Sequence, residues 1–131
     1  MERRTVNPTT WSLALGFTQG ELVADATRTL YVSGQTAMDT SGVPQHPDDV
    51  AAQAALAMDN LEAVLAEAGM TLAHLVRLAV YATDIDGLMP HYGVIAGRLA
   101  AAGATPTSTM LEVSRLAVPG QLIEVEGVAV A

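Results

Sequence analysis

Two glutamates near the end of the chain, Glu124 and Glu126, alternate along what reads as a strand. Period two places both carboxylates on one face, about 7 Å apart. The preceding strand groups Ser108, Met110 and Glu112 on one face by the same alternation. If the two strands pair through a turn at Val118-Pro119-Gly120, carboxylates converge near Ser108, where one is placed to hold a water or exchange a proton. The competing reading leaves these glutamates solvated or paired with Arg77 or Arg115, with no chemistry attached.

Other reactive residue types are sparse. His46, His74 and His91 fall in a loop, at a strand start and at a helix start, without the spacing of metal ligands. His91-Tyr92 near a helix N-terminus could line a pocket, although helix surface is the plainer reading. Ser33-Gly34-Gln35 closes a strand, and the glycine lets backbone approach a ligand or simply makes a turn. No nucleophile elbow, phosphate loop or dinucleotide fingerprint occurs, and the residues call for no cofactor and no metal.

Composition narrows the field further. The chain of 131 residues contains no cysteine, which excludes disulfides and thiolate chemistry and fits a reducing, cytoplasmic setting. Lysine is absent too, so Schiff-base catalysis through a lysine amine is excluded and six arginines are the only permanent side-chain cations. A net charge of −8 with singly scattered arginines argues against nucleic acid as a partner. Half the residues are hydrophobic, yet charged residues interrupt every apolar run before the roughly 20 residues a membrane helix needs. Arg3-Arg4 and the short apolar stretch Trp11 to Phe17 do not make a convincing export signal.

The elements that must position these residues follow from periodicity. A helix is predicted from about Pro47 to Ala68, with Val50, Ala54, Met58, Leu61 and Leu65 on one stripe, acidic residues at its start and Gly69-Met70 as its C-terminal cap. A second is predicted from about Leu88 to Ala102, with Pro90 in its first turn, Gly103 beyond its end, and Gly93 and Gly97 permitting close approach to a sheet. Strands are predicted at Phe17 to Ala24 and Arg28 to Gly34 as a hairpin, at Leu75 to Ala82, and at Thr107 to Leu116 and Gln121 to Val130 as the terminal pair. The order β-β-α-β-α-β-β gives one α+β domain spanning residues 1–131, its first ten residues loose, with both helices on one face of a mixed sheet. The opposite face needs a cover, and a partner subunit supplies the simplest one.

The blocks Phe17-Thr18-Gln19-Gly20, Leu30-Tyr31-Val32-Ser33-Gly34-Gln35, Asp59-Asn60-Leu61 and Leu111-Glu112-Val113-Ser114-Arg115-Leu116, closing on Ile123-Glu124-Val125-Glu126, resemble the RidA/YjgF family in order and spacing. The resemblance spans nearly the whole chain. It implies a chorismate mutase-like fold, a homotrimer, and a small-metabolite cleft at each subunit interface. Members with a complete site hydrolyse reactive enamines or imines to carbonyl compounds and ammonia.

The same resemblance marks departures. The family's substrate-clamping arginine falls at Ser108, whose hydroxyl offers a neutral hydrogen bond in place of a charged fork. The tyrosine before Gln-Gly is Phe17, and a small polar residue in the second helix's first turn is Tyr92. Glu124 matches the acidic residue that positions the attacking water. The cleft is therefore expected to comprise Phe17, Ser33, Gly34, Tyr92, Ser108 and Glu124, with Glu124 catalytic and the others binding. An imine or enamine deaminase of altered specificity is the leading expectation, a non-catalytic ligand-binding trimer the second, and an endoribonuclease the weakest.

Overall fold

The computed structural model describes residues 1–131. Six strands are present: β1 (Glu2–Val6), β2 (Gly20–Ala24), β3 (Thr29–Gln35), β4 (Leu75–Ala82), β5 (Thr107–Glu112) and β6 (Ile123–Val130). Between them lie α1 (Val50–Glu67), the single turn α2 (Ile85–Leu88) and α3 (Gly93–Ala101). The main sheet has the order β3-β6-β4-β5, antiparallel except for the parallel pair β4 and β5, while β1 and β2 form a separate antiparallel ribbon.

α1 forms where its apolar stripe and caps demand it. Ala54, Ala57, Met58, Leu61 and Leu65 are buried along one side. The start is three residues later than expected, because Asp49 is the N-cap and accepts from Ala52 N at 3.0 Å, leaving Pro47 ahead of the first turn. At the other end Gly69 adopts φ 70° and Met70 N reaches back to the Leu65 carbonyl at 2.8 Å, which satisfies an orphan acceptor. This stripe packs on Leu78, Val80, Ile123 and Val125 to make the core.

The second predicted helix is broken. α2, capped by Asp84 accepting from Gly87 N at 3.1 Å, gives way to a 3-10 turn at Met89–His91 before α3 begins. Pro90 explains the break, since it lacks an N–H and its ring opposes a continuous α ladder. Gly93 and Gly97 do not meet the sheet; β-carbons built on them would face open space.

Three further expectations are corrected. Residues 2–6 are not loose but form β1, tied to the body by Arg3, whose Nε meets Glu21 Oε1 at 2.5 Å and whose Nη atoms donate to the Ala73 and Leu75 carbonyls at 2.7 and 3.0 Å. β2 and β3 do not pair as a hairpin: β2 takes β1, and β3 takes β6 with Thr29 opposite Val130. β5 and β6 do not pair either, because β4 lies between them. The helical crossover from β4 to β5 produces a parallel neighbour, and residues 113–122 carry the chain back over the sheet's end to the slot beside β3.

Candidate functional site

Pairing across β4 decides which side chains meet. Leu78, Val80 and Ala82 are buried under the helices, and they stand opposite Ser108, Met110 and Glu112 of β5. Ser108 is therefore on the helix side. On β6, Ile123, Val125 and Ala129 fill the core, so Glu124 and Glu126, opposite Tyr81 and Ala79, point to the uncovered face. The expected convergence of Glu112, Ser108 and Glu124 does not occur. Glu112 instead accepts from Ile85 N at 3.0 Å, at the start of α2.

On the uncovered face, Glu124 packs against Gly34 so closely that a β-carbon on residue 34 would coincide with its carboxylate. β3 and β6 lose register between Val32 and Gln35, which sets the Ser33-Gly34 backbone beside the acid. Glu126 makes no ion pair with Arg77 or Arg115; it accepts from the Tyr81 hydroxyl at 2.7 Å. That bond, with smaller contributions from burial and the negative charge of Glu126, holds the Tyr81 phenol protonated beyond its ordinary range. A concavity of about 280 Å³ lies alongside, bounded by Tyr31, Ser33, Arg77 and Glu126.

Phe17, Tyr92 and Ser108 share a second cavity, of about 240 Å³, on the helix side of β5. Three local features assemble it. Thr18 bridges to Thr107 at the outer edge of β5, which brings Phe17 alongside Ser108. Asn7 pins that segment through its Oδ1, accepting from Thr18 Oγ1 at 2.9 Å and Gln19 N at 2.8 Å. Trp11 meets Phe17 edge to face with ring centroids 5.6 Å apart. Burial pushes the Tyr92 phenol up from its ordinary value, and the neighbouring Ser108 hydroxyl partly offsets the shift. The phenol therefore remains neutral at physiological pH.

The six predicted residues thus divide in two. Ser33, Gly34 and Glu124 gather beside edge strand β3, whereas Phe17, Tyr92 and Ser108 gather at edge strand β5. Arg77, weighed in the sequence only as an ion-pair partner, lies here as well, and Tyr81, Leu13, Leu15 and Leu99 are found in these regions without having been singled out. One signal was available for the last: Tyr92, Ala96 and Leu99 recur at helical spacing, so placing Tyr92 in a cavity places the others there too.

A family model described as Endoribonuclease L-PSP matches residues 15–131. The solved structure of YyfB from Yersinia pestis, a protein of unknown function of the conserved Rid family, is 33% identical and covers 100% of both chains with a TM-score of 0.84. The chain belongs to the RidA/YjgF family. Its α+β, chorismate mutase-like architecture is that of its RidA/YjgF relatives. Protein DfrA of Myxococcus xanthus is 31% identical over 131 residues, covering 100% of this chain and 98% of that protein. A 2-iminobutanoate/2-iminopropanoate deaminase of Rattus norvegicus is 30% identical over 130 residues, 98% of this RidA-family chain and 90% of the rat protein.

Proposed function

We propose that the chain is a hydrolase of a reactive imine or enamine with altered substrate specificity, working in clefts between the protomers of a homotrimer. The observation that carries this reading is the division of the candidate residues between the two edges of the main sheet. A single chain keeps Glu124 beside β3 away from Ser108 on β5. Head-to-tail association sets the β5 edge of one copy against the β3 edge of the next, and a closing rotation makes that contact a ring. Each cleft then takes Ser33, Gly34 and Glu124 from one copy and Phe17, Tyr92 and Ser108 from another.

In this cleft Glu124 orients a water and accepts its proton as the oxygen attacks the C=N carbon. The C–O bond forms, the C–N bond breaks, and nitrogen leaves as ammonia after gaining the water's protons. The relationship to the rat deaminase supports this reaction class. Altered specificity rests on Ser108, because no arginine borders its cavity.

That same absence favours a second reading, a trimer that binds a small ligand without turnover, since oriented water alone gives a limited proximity advantage. Cleavage of RNA is disfavoured by the charge of −8 and the scattered arginines.

The test adds purified protein to enzymatically generated 2-aminoacrylate and follows ammonia release, alongside sedimentation. The expected result is a trimer with weak acceleration, reduced about 10²–10⁴-fold by Glu124→Gln. A monomer at micromolar concentration, or full activity in Glu124→Gln, sinks the proposal. Acceleration matching an arginine-bearing relative refutes the part assigned to Ser108.

A further inference from the structure

We infer that the Phe17–Tyr92–Ser108 cavity receives the apolar part of an uncharged substrate, a small aliphatic or aromatic imine that carries no carboxylate. This deepens the hydrolase reading above and rests on it.

The first ground is charge. None of the residues bordering the cavity is ionisable at neutral pH, counting the neutral Tyr92 phenol among them. None of the six arginines of the same chain borders the cavity. Arg98 is held by Asp59 and Glu62 at 2.6 and 2.8 Å, Arg3 by Glu21, and Arg77 stands across the sheet beside Glu126. A carboxylate entering here would lose its hydration with only neutral hydroxyls in exchange, an unfavourable transfer.

The second ground is shape and lining. The walls are Leu13, Leu15, Phe17, Leu99 and neighbouring alanines, with hydroxyls from Tyr92, Thr105 and Ser108. A volume of about 240 Å³ is below the roughly 300–1,000 Å³ typical of drug-sized ligands, so it suits a branched alkyl or phenyl group and not a nucleotide. Leu13 and Leu15 remain 49% and 61% exposed although they border the cavity, leaving apolar surface that an apolar occupant covers. Tyr92 and Ser108 supply neutral hydrogen bonds for the imine nitrogen or the product oxygen. The reaction is R₂C=NH + H₂O → R₂C=O + NH₃, with no change of oxidation state and water as the sole co-reactant.

The experiment separates binding from turnover. Calorimetry compares isovaleramide and phenylacetamide with isovalerate and phenylacetate, neutral and charged ligands of matched shape. In parallel, ammonia release is followed from the imine an amine oxidase makes from isoamylamine and from the 2-iminopropanoate an amino acid oxidase makes from alanine. The amides are expected to bind at least about 10-fold more tightly than the acids. Ser108→Arg should reverse that order, and Ala100→Phe at the exposed rim should weaken amide binding through the narrowed mouth. The isoamylamine-derived imine should be the better substrate. Amide binding that follows both variants, with no hydrolysis of either imine, upholds the cavity's ligand class and overturns the hydrolase reading. Acids binding as well as amides, no binding of either, or faster hydrolysis of 2-iminopropanoate overturns the inference itself.

Discussion

Glu124 fills the space that a β-carbon on Gly34 would occupy. A side chain at position 34 thus forces the carboxylate aside, and the acid swings away more readily than the backbone does. Gly34→Ala is expected to reduce kcat/KM about 10- to 100-fold through misplacement of the acid, with a loss of stability below about 1 kcal/mol. Assays paired with denaturant unfolding check this. Unchanged turnover would separate Glu124 from the chemistry.

Gln53 is fully buried and joins three segments. Its Nε2 donates to the His46 and Gly120 carbonyls at 3.1 Å each, and its Oε1 accepts from Leu122 N at 2.8 Å. Gln53→Leu keeps the volume but orphans these groups, for a loss of about 2–4 kcal/mol. Because Leu122 immediately precedes β6, Glu124 should lose its fixed position as well. Urea unfolding of the variant provides the measurement, and a change within about 0.5 kcal/mol would contradict the account.

Both Tyr81 and Tyr92 hold their protons more tightly in the folded chain than at their ordinary value of 10.0, Tyr81 chiefly through Glu126 and Tyr92 chiefly through burial. Between that value and the raised folded one, the native state binds more protons than the unfolded state. Their stabilising contribution is therefore complete below pH 10 and is lost as pH rises through the folded values. Tyr92→Phe should flatten the alkaline fall in stability, and tyrosinate absorbance should show two late-ionising phenols. Titration of both at the free-tyrosine value in folded protein would overturn this.

Arg3 grips Glu21 across the β1–β2 ribbon and fastens that ribbon to the start of β4 through two further bonds, to the Ala73 and Leu75 carbonyls. Arg3→Ala is expected to cost about 1–3 kcal/mol and to speed proteolytic cleavage within residues 1–10. Equal cleavage of the two proteins would show that the ladder to β2 suffices alone.

How far the sequence disclosed the fold depended on whether neighbouring residues held the information. α1 was legible because its stripe and its Gly69 cap are local, and the β4 segment was legible from its run of Leu, Val and Tyr. β1 was not, since Glu2-Arg3-Arg4-Thr5-Val6 has no apolar alternation and stands through its ladder and the reach of Arg3 to Ala73 and Leu75. Strand neighbours were misjudged because sequence adjacency favoured a β5–β6 hairpin, whereas the parallel β4–β5 pair leaves no local mark. The candidate site shows the same division. Ser108 and Glu124 were identified through resemblance, but the faces they occupy depend on registers with Leu78 and Tyr81, set across long stretches of chain.

The central position of β6 has a kinetic consequence. β3 and β4 have no contact edge to share until the last strand slides between them, and Thr29 must find Val130 across nearly the whole chain. Such distant pairing should make refolding slow for a protein of this size, closer to milliseconds or longer than to microseconds. During that delay α1 and the β1–β2 ribbon are free to form, while the two waiting edges stay unpaired and adhesive. The interval before β6 arrives is thus the point at which crowding or heat would divert the chain into aggregates.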